Sequence, residues 1–269
     1  MIIIKSINRL KKEVDFKANI GFVPTMGSLH RGHLSLIESS KKKTKKTIVS
    51  IFVNPSQFNS KKDFNNYPRN LSSDIKILKK LKVDYLFLPS KDELYRSKKD
   101  LKIKLLKNQK ILCAKFRKGH FEGVLGVINQ FLKIVKAKYM FLGEKDFQQI
   151  YLINNFIKNK FKIKIVSCPT IRNTNYFAYS SRNILLKKND IKNATIIINC
   201  IKNFKNSITK KKINYGELTN IKKKILNYCQ KIDYLEIRNK NNLSKNFNKN
   251  NFKIFIAFYI NNIRLIDNF

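Results

Sequence analysis

Two of the chain's three histidines, His30 and His33, enclose Arg31 and Gly32 within FVPTMGSLHRGHLSLI, residues 22–37. At that separation on a helical turn both rings project to the same side. Gly32 places no side chain between them, so a nucleotide phosphate can approach the backbone. Imidazole donors beside the positive end of a helix would stabilise charge that builds on an α-phosphate. Before them comes an apolar run ending in Pro24, then a tight turn at Thr25, Met26 and Gly27. A strand, a turn and a helix start in that order describe a phosphate site at the carboxyl edge of a parallel sheet. An isolated H-x-G-H would describe two surface histidines at a helix start; the preceding Pro-Thr-Met-Gly favours the chemical reading.

Four further segments hold residue types suited to the same chemistry. In SIFVNPSQF, residues 50–58, Asn54 and Gln57 are neutral amides at a strand mouth. They can hold a carboxylate or hydroxyl substrate without burying a charge, or form an ordinary Asn-Pro turn. YPRN, residues 67–70, supplies Tyr67 and Arg69 with Asp74 one turn on, and RKGHFEG, residues 117–123, supplies Arg117 and His120. Either arginine can clamp phosphate, while Asp74 can meet a magnesium ion, directly or through water, or cap a helix start. In FLGEKDFQQ, residues 141–149, Gly143 permits backbone contact with an adenosine and Lys145 presents a point charge to phosphate oxygens. Asp146 can bind a ribose hydroxyl or a metal, and Gln149 lies one turn into the helix. RNTNYFAYSSRN, residues 172–183, places the hydroxyls of Ser180 and Ser181 next to Arg182, which would neutralise the β- and γ-phosphates of a departing diphosphate.

Composition sharpens this selection. The formal charge of +40 invites a nucleic-acid reading, but only nine of the 57 basic side chains are arginine. The lysines are spread along the chain, where an electrostatic footprint would gather them on one face. Lys, Asn, Ile and Phe share A/T-rich codons, so nucleotide bias explains the charge and no specific nucleic-acid partner is expected. Against that background the rare residues are informative: Arg69, Arg117, Arg172, Arg182 and all three histidines fall in the five segments. Cys113, Cys168, Cys200 and Cys229 form no C-x-x-C pair and are expected to be reduced and structural. No run approaches the about 18 apolar residues that span a bilayer. The apolar patch in MIIIKSINRL is too short for a signal-peptide core, so no membrane partner and a cytoplasmic location are expected.

The elements that must position these segments follow from periodicity. Strands are expected at 20–24, 47–53, 83–89, 138–142 and 162–170, with helices between them at about 32–43, 70–82, 121–136 and 146–159. Strands with continuous apolar runs alternating with helices predict an α/β fold with a parallel sheet covered on both faces. After about residue 171 the pattern changes to a helix at 217–231 and strands at 232–238 and 252–260, a smaller α+β unit. The stretch 239–251, rich in Asn and Lys, shows no sign of structure.

Taken together, P-T-M-G-x-L-H-x-G-H, S-I-F-V-N-P-x-Q-F, Y-P-R, G-E-K-D-x-Q-Q and S-S-R-N, in this order over essentially the whole chain, resemble the pantothenate synthetase (pantoate–β-alanine ligase) family. That family is part of the H-x-G-H nucleotidylyltransferase group. The resemblance implies a Rossmann-like nucleotide-binding domain, residues 1–171, a smaller domain, residues 172–269, closing over the ATP site, and a homodimer. It also implies that the substrates are ATP with Mg2+, pantoate and β-alanine, joined through a pantoyl adenylate. Carried over by motif, Met26, Gly27, Ser28, Leu29, His30, Arg31, Gly32 and His33 contact ATP, with His33 the proton donor and His30 beside it. Gly143, Glu144, Lys145 and Asp146 serve ATP. Ile171, Tyr179, Ser180, Ser181 and Arg182 close over the nucleotide. Lys145 and Arg182 join the histidines as catalytic groups. Gln57, Asn54, Tyr67 and Gln149 belong to the pantoate and β-alanine side, and Asp74 to the metal. Two departures stand out. Asn175-Tyr176-Phe177 replaces the usual Asp-Gly-Leu, so a tyrosine stands where a glycine permits positive φ. Cys113 stands where an acidic residue is common. The central polar groups are intact, and a working enzyme is expected.

Overall fold

The computed structural model describes residues 1–95, 103–208, 215–248 and 250–269. It divides into two compact units, Met1–Glu144 with Gln149–Pro169, and Lys145–Gln148 with Thr170–Phe269.

The first unit is built on six parallel strands: β1 (Ile2–Ile4), β2 (Ile20–Thr25), β3 (Lys46–Ile51), β4 (Tyr85–Phe87), β5 (Tyr139–Gly143) and β6 (Lys164–Cys168). Their order is β1-β4-β3-β2-β5-β6. The chain therefore winds outward from β2 in one direction through β3 and β4, then returns to lay β5 on the other side of β2. This reversal between β2 and β5 is the topological switch point, where the strand ends of an open α/β sheet leave a crevice for ligands. Phe22, Val23, Ile48, Val49, Leu86, Met140 and Phe141 are fully buried on the central strands, so these strands read as unbroken apolar runs. Each large side chain so buried is worth about 1.5–3 kcal/mol. The helix Arg31–Lys43 presents Leu36, Ile37 and Ser40 to this core, and Lys41, Lys42 and Lys43 at its end complement the negative end of its dipole.

The second unit contains an antiparallel sheet in the order β7 (Lys231–Asn239), β8 (Phe252–Ile260) and β9 (Ile263–Asn268). Ala194, Ile197, Ile198 and Ile201 of the helix Lys188–Ile208 pack with Ile254, Ile256 and Phe258 of β8 in one apolar cluster.

Some elements differ from expectation. β1 and β9 are too short and too close to other features to stand out by periodicity. The Asn-rich stretch expected to lack structure is a closed turn between β7 and β8: Asn239 donates its backbone N–H to Ser244 at 3.0 Å, Lys240 donates to Asn251 at 2.7 Å, and Leu243 is buried. Its asparagines account for it, since Asn239 and Asn242 accept from the backbone two residues on, at 2.8 and 3.0 Å, which is how Asn shapes a turn. Lys249 of this stretch lies outside the described residues. All four cysteines are free, and burial raises the pKa of Cys168, Cys200 and Cys229, which suits inert structural thiols.

Candidate active site

β2 ends at Thr25, whose hydroxyl donates to the Ser50 carbonyl at 2.8 Å and accepts from the Gly27 amide at 3.2 Å. The chain then turns through two left-handed residues, Gly27 at φ +77° and Ser28 at φ +50°. Only glycine suits the first of these, because an added Cβ would also stand 3.0 Å from both the Asp74 carboxylate and Ile51. Asp74 explains how the turn is held. It lies in the first turn of the helix Leu71–Lys80, is 3% exposed, and accepts the amides of Ser28 and Leu29, both at 2.8 Å, one on each carboxylate oxygen. Burial raises its pKa, and the two amide hydrogen bonds pull the other way.

The histidines follow directly. His30 is the N-cap of the helix Arg31–Lys43, in extended conformation, and His33 is its third residue. His30 Nδ1 accepts from the Gly32 amide at 3.1 Å, and His33 Nδ1 accepts from the His30 amide at 3.4 Å. This reciprocal cap brings the rings to 4.0 Å between centroids, at 32°. With Nδ1 an acceptor in each neutral ring, the proton sits on Nε2. Both rings are therefore Nε2–H donors, the form that can stabilise a phosphate oxygen.

Beyond β3 the chain makes the short 3₁₀ helix Pro55–Gln57. Asn54 is fully buried: its oxygen accepts from Ser56 N at 3.3 Å and from the Tyr95 hydroxyl at 3.4 Å, and its Nδ2 donates to the Gly123 carbonyl at 3.1 Å. Gln57 is buried too, and its main-chain carbonyl accepts from His120 Nδ1 at 2.7 Å and Arg117 Nη2 at 3.1 Å. Tyr67 is buried edge-on against Phe58, with ring centroids 5.5 Å apart. Arg69 donates to the carbonyls of Phe64, Asn65 and Tyr67, so the structure employs it in closing a helix end.

β5 ends at Gly143, beside β2, and the chain enters the 3₁₀ helix Glu144–Asp146. A Cβ at Gly143 would meet nothing nearer than Leu36, at 4.0 Å, so the backbone there has room beside it. Glu144 accepts from Ser167 Oγ at 3.1 Å. Lys145 Nζ lies 3.8 Å from Asp146, and Gln149 is half-buried in the helix Phe147–Ile157.

In the second unit, Arg172 and Ala178 form a bridge that closes a small hairpin, and Tyr179 N donates to the Ile171 carbonyl at 3.1 Å. Ser180 caps the 3₁₀ helix Ser181–Leu185 by accepting from Arg182 N at 3.3 Å. Arg172 makes a two-pronged ion pair with Asp267 at 2.7 and 2.8 Å and also donates to the Asn268 carbonyl at 3.1 Å. The Asn268 side chain in turn donates to the Lys145 carbonyl at 3.0 Å. β9 thus ties Lys145 to the hairpin that leads to Tyr179–Arg182. Sequence reasoning missed Asp267 and Asn268, which carry no motif, and gave Arg172 no partner.

A family model described as Pantoate-beta-alanine ligase matches residues 2–269. The chain belongs to the pantoate–beta-alanine ligase family. It is 41% identical over 268 residues to the pantothenate synthetase of Francisella tularensis subsp. novicida, covering 99% of this chain and 95% of that one. Among solved structures it resembles a Francisella tularensis pantoate–beta-alanine ligase complexed with beta-gamma ATP and beta-alanine, with a TM-score of 0.86, 39% identity, and coverage of 100% and 97%. It also resembles the pantothenate synthetase of Thermus thermophilus, with a TM-score of 0.92, 28% identity, and coverage of 100% and 99%. The six-stranded parallel sheet and small antiparallel sheet are accordingly the fold of a pantoate–beta-alanine ligase, and the H-x-G-H turn at the switch point is a family feature in its expected place.

Proposed function

We propose that this chain condenses (R)-pantoate with β-alanine at the expense of ATP, releasing AMP and diphosphate, and that the residues at the mouths of β2, β3 and β5 do so. The observation behind this reading is the pair of Nε2–H donors on His30 and His33. A pantoate carboxylate oxygen attacks the α-phosphorus, the bond from that phosphorus to the bridging oxygen breaks, and diphosphate leaves. In the second step the β-alanine amine attacks the acyl carbon of pantoyl adenylate, the acyl–oxygen bond breaks, AMP departs, and the amine gives up a proton. Charge gathers on phosphate oxygens in the first step, where fixed donors act without reorganising. His33 and His30 serve the α-phosphate, and Lys145 and Arg182 the charge of the departing diphosphate.

Met26, Gly27, Ser28, Leu29, Arg31 and Gly32 line the nucleotide side with Gly143, Glu144 and Asp146, and Ile171, Tyr179, Ser180 and Ser181 belong to the loop that covers it. Gln57 and Gln149 hold pantoate through their amides, with Tyr67 beside them, and Gln57 also serves β-alanine. Asn54 takes part by shaping the Pro55–Gln57 turn. Among the described residues no group of three or more His, Cys, Asp or Glu could hold a metal ion, and both oxygens of Asp74 already accept amides. Mg2+ is therefore assigned to the ATP phosphates, as part of the substrate. Among the described residues no helix is long and apolar enough to cross a membrane, and the working form is assigned as a cytoplasmic homodimer.

The test is exchange of labelled diphosphate into ATP with β-alanine withheld. Exchange that requires pantoate supports the proposal; exchange that ignores pantoate but follows another carboxylic acid overturns it.

A further inference from the structure

We infer that His120 and Arg117 are positioning residues that set the direction of the Gln57 side chain, and through it the affinity for pantoate. The inference rests on the reading of Gln57 as a substrate-binding amide. Gln57 closes a three-residue 3₁₀ helix, and such turns have poor internal hydrogen-bond geometry and need support from outside. The support comes from residues 117–123, which run into the helix His120–Ile134. Asn54 Nδ2 reaches the Gly123 carbonyl at 3.1 Å, and a Cβ on Gly123 would stand 2.2 Å from the Ser56 carbonyl oxygen, so the helix is pressed against the turn as closely as a backbone allows. At the end of the turn two N–H groups converge on one oxygen: His120 Nδ1 at 2.7 Å and Arg117 Nη2 at 3.1 Å from the Gln57 carbonyl.

Arg117 Nη1 also lies 2.9 Å from His120 Nε2. A guanidinium only donates, so Nε2 must accept, and the His120 proton must sit on Nδ1, where it is given to Gln57. This is the opposite tautomer from His30 and His33. Both ring nitrogens of His120 are occupied in holding protein, which assigns the third histidine to support and not to the phosphates. Fixing the Gln57 carbonyl fixes the rotation about its Cα–C bond, and with it the direction in which Cα–Cβ points. The Gln57 amide itself makes no hydrogen bond among the described residues, so that direction decides where it meets substrate.

The experiment compares His120→Asn, His120→Gln and Gln57→Ala in steady-state kinetics with each substrate varied. An asparagine amide occupies the place of Nδ1 and can still donate to the Gln57 carbonyl; a glutamine amide reaches towards Nε2 and does not. The expected result is a KM for pantoate within about twofold of the native value for H120N and raised about tenfold for H120Q, the factor for one neutral hydrogen bond lost, with KM for ATP unchanged in both. Equal pantoate KM values for the two variants, or an equal rise in the ATP KM, overturn the inference. Q57A separates the two levels: if it raises the pantoate KM while H120Q does not, the positioning role fails alone. If Q57A leaves the pantoate and β-alanine KM values unchanged, the reading of Gln57 fails and the inference falls with it.

Discussion

The guanidinium of Arg172 lies 4.6 Å from the ring centre of Tyr176, a residue held at φ +65°. A non-glycine side chain in that region costs about 1–2 kcal/mol. The ring offsets this cost: Lys202 Nζ stands over it at 4.0 Å, Phe269 stacks on it at 6.3 Å and 27°, and the Tyr176 carbonyl accepts from Arg172 at 3.0 Å. The departure from the family's glycine is thus matched by an aromatic and cationic surround that a glycine could not use. Replacing Tyr176 with Gly removes the strain and the ring contacts together, and cation–π and stacking contacts of this kind are worth about 0.5–2 kcal/mol each. Y176G is therefore expected to lose about 1 kcal/mol in urea unfolding while Y176F stays near native; a more stable Y176G would show that the strain dominates. Arg172→Ala is expected to cost more, about 3–5 kcal/mol, because it leaves the buried Asp267 carboxylate without its partner.

Asp74 carries a prediction about pH. Its pKa is raised in the folded state, chiefly by burial, so the folded protein holds this proton more tightly than the unfolded chain does. Stability from this group is then greatest below the unfolded carboxylate pKa and is lost as pH rises through the raised folded pKa. Asp74→Asn removes that titration. The unfolding free energy of the native protein minus that of D74N should increase as pH falls from neutral through the carboxylate range. A difference that is flat or falls with acidification would contradict the assignment.

Gly123 offers a steric test of the support under Gln57. An alanine there would place its Cβ 2.2 Å from a backbone oxygen, which cannot step aside as a flexible side chain can. Overpacking of this kind costs about 1–3 kcal/mol. Gly123→Ala should lower the melting temperature and raise the KM for pantoate more than that for ATP. Gly126→Ala, on the same helix with no atom within 4 Å of its would-be Cβ, should do neither.

Much of the site was legible because lysine has replaced most arginine and glycine is scarce. His30, His33, Gly143 and Arg182 stood out as residues for which the common substitute would not serve. The alternation of apolar strands and amphipathic helices likewise disclosed the parallel sheet, since strands buried on both faces must be continuously apolar. Relations between distant residues stayed hidden. That Asp74 holds the amides of Ser28 and Leu29, that the Asn54 side chain is spent on Gly123 and Ser56, and that Asn268 reaches Lys145 depend on chain reversals that local pattern does not encode. The tautomers of the three histidines depend on neighbours that only the folded backbone supplies. The Asn-rich turn was misread because composition alone cannot separate a disordered tract from asparagines that each cap a turn.

The most direct measurement of the central claim, that His33 stabilises the α-phosphate as an Nε2–H donor, is single-turnover formation of pantoyl adenylate by His33→Gln and His33→Asn at saturating ATP and pantoate. Glutamine can place an N–H near the position of Nε2 and asparagine cannot, so H33Q is expected to retain a measurable fraction of the native rate while H33N falls by about 10²–10³, the loss typical of one removed transition-state donor. Native adenylation by H33N, with its loss confined to the β-alanine step, would contradict the account.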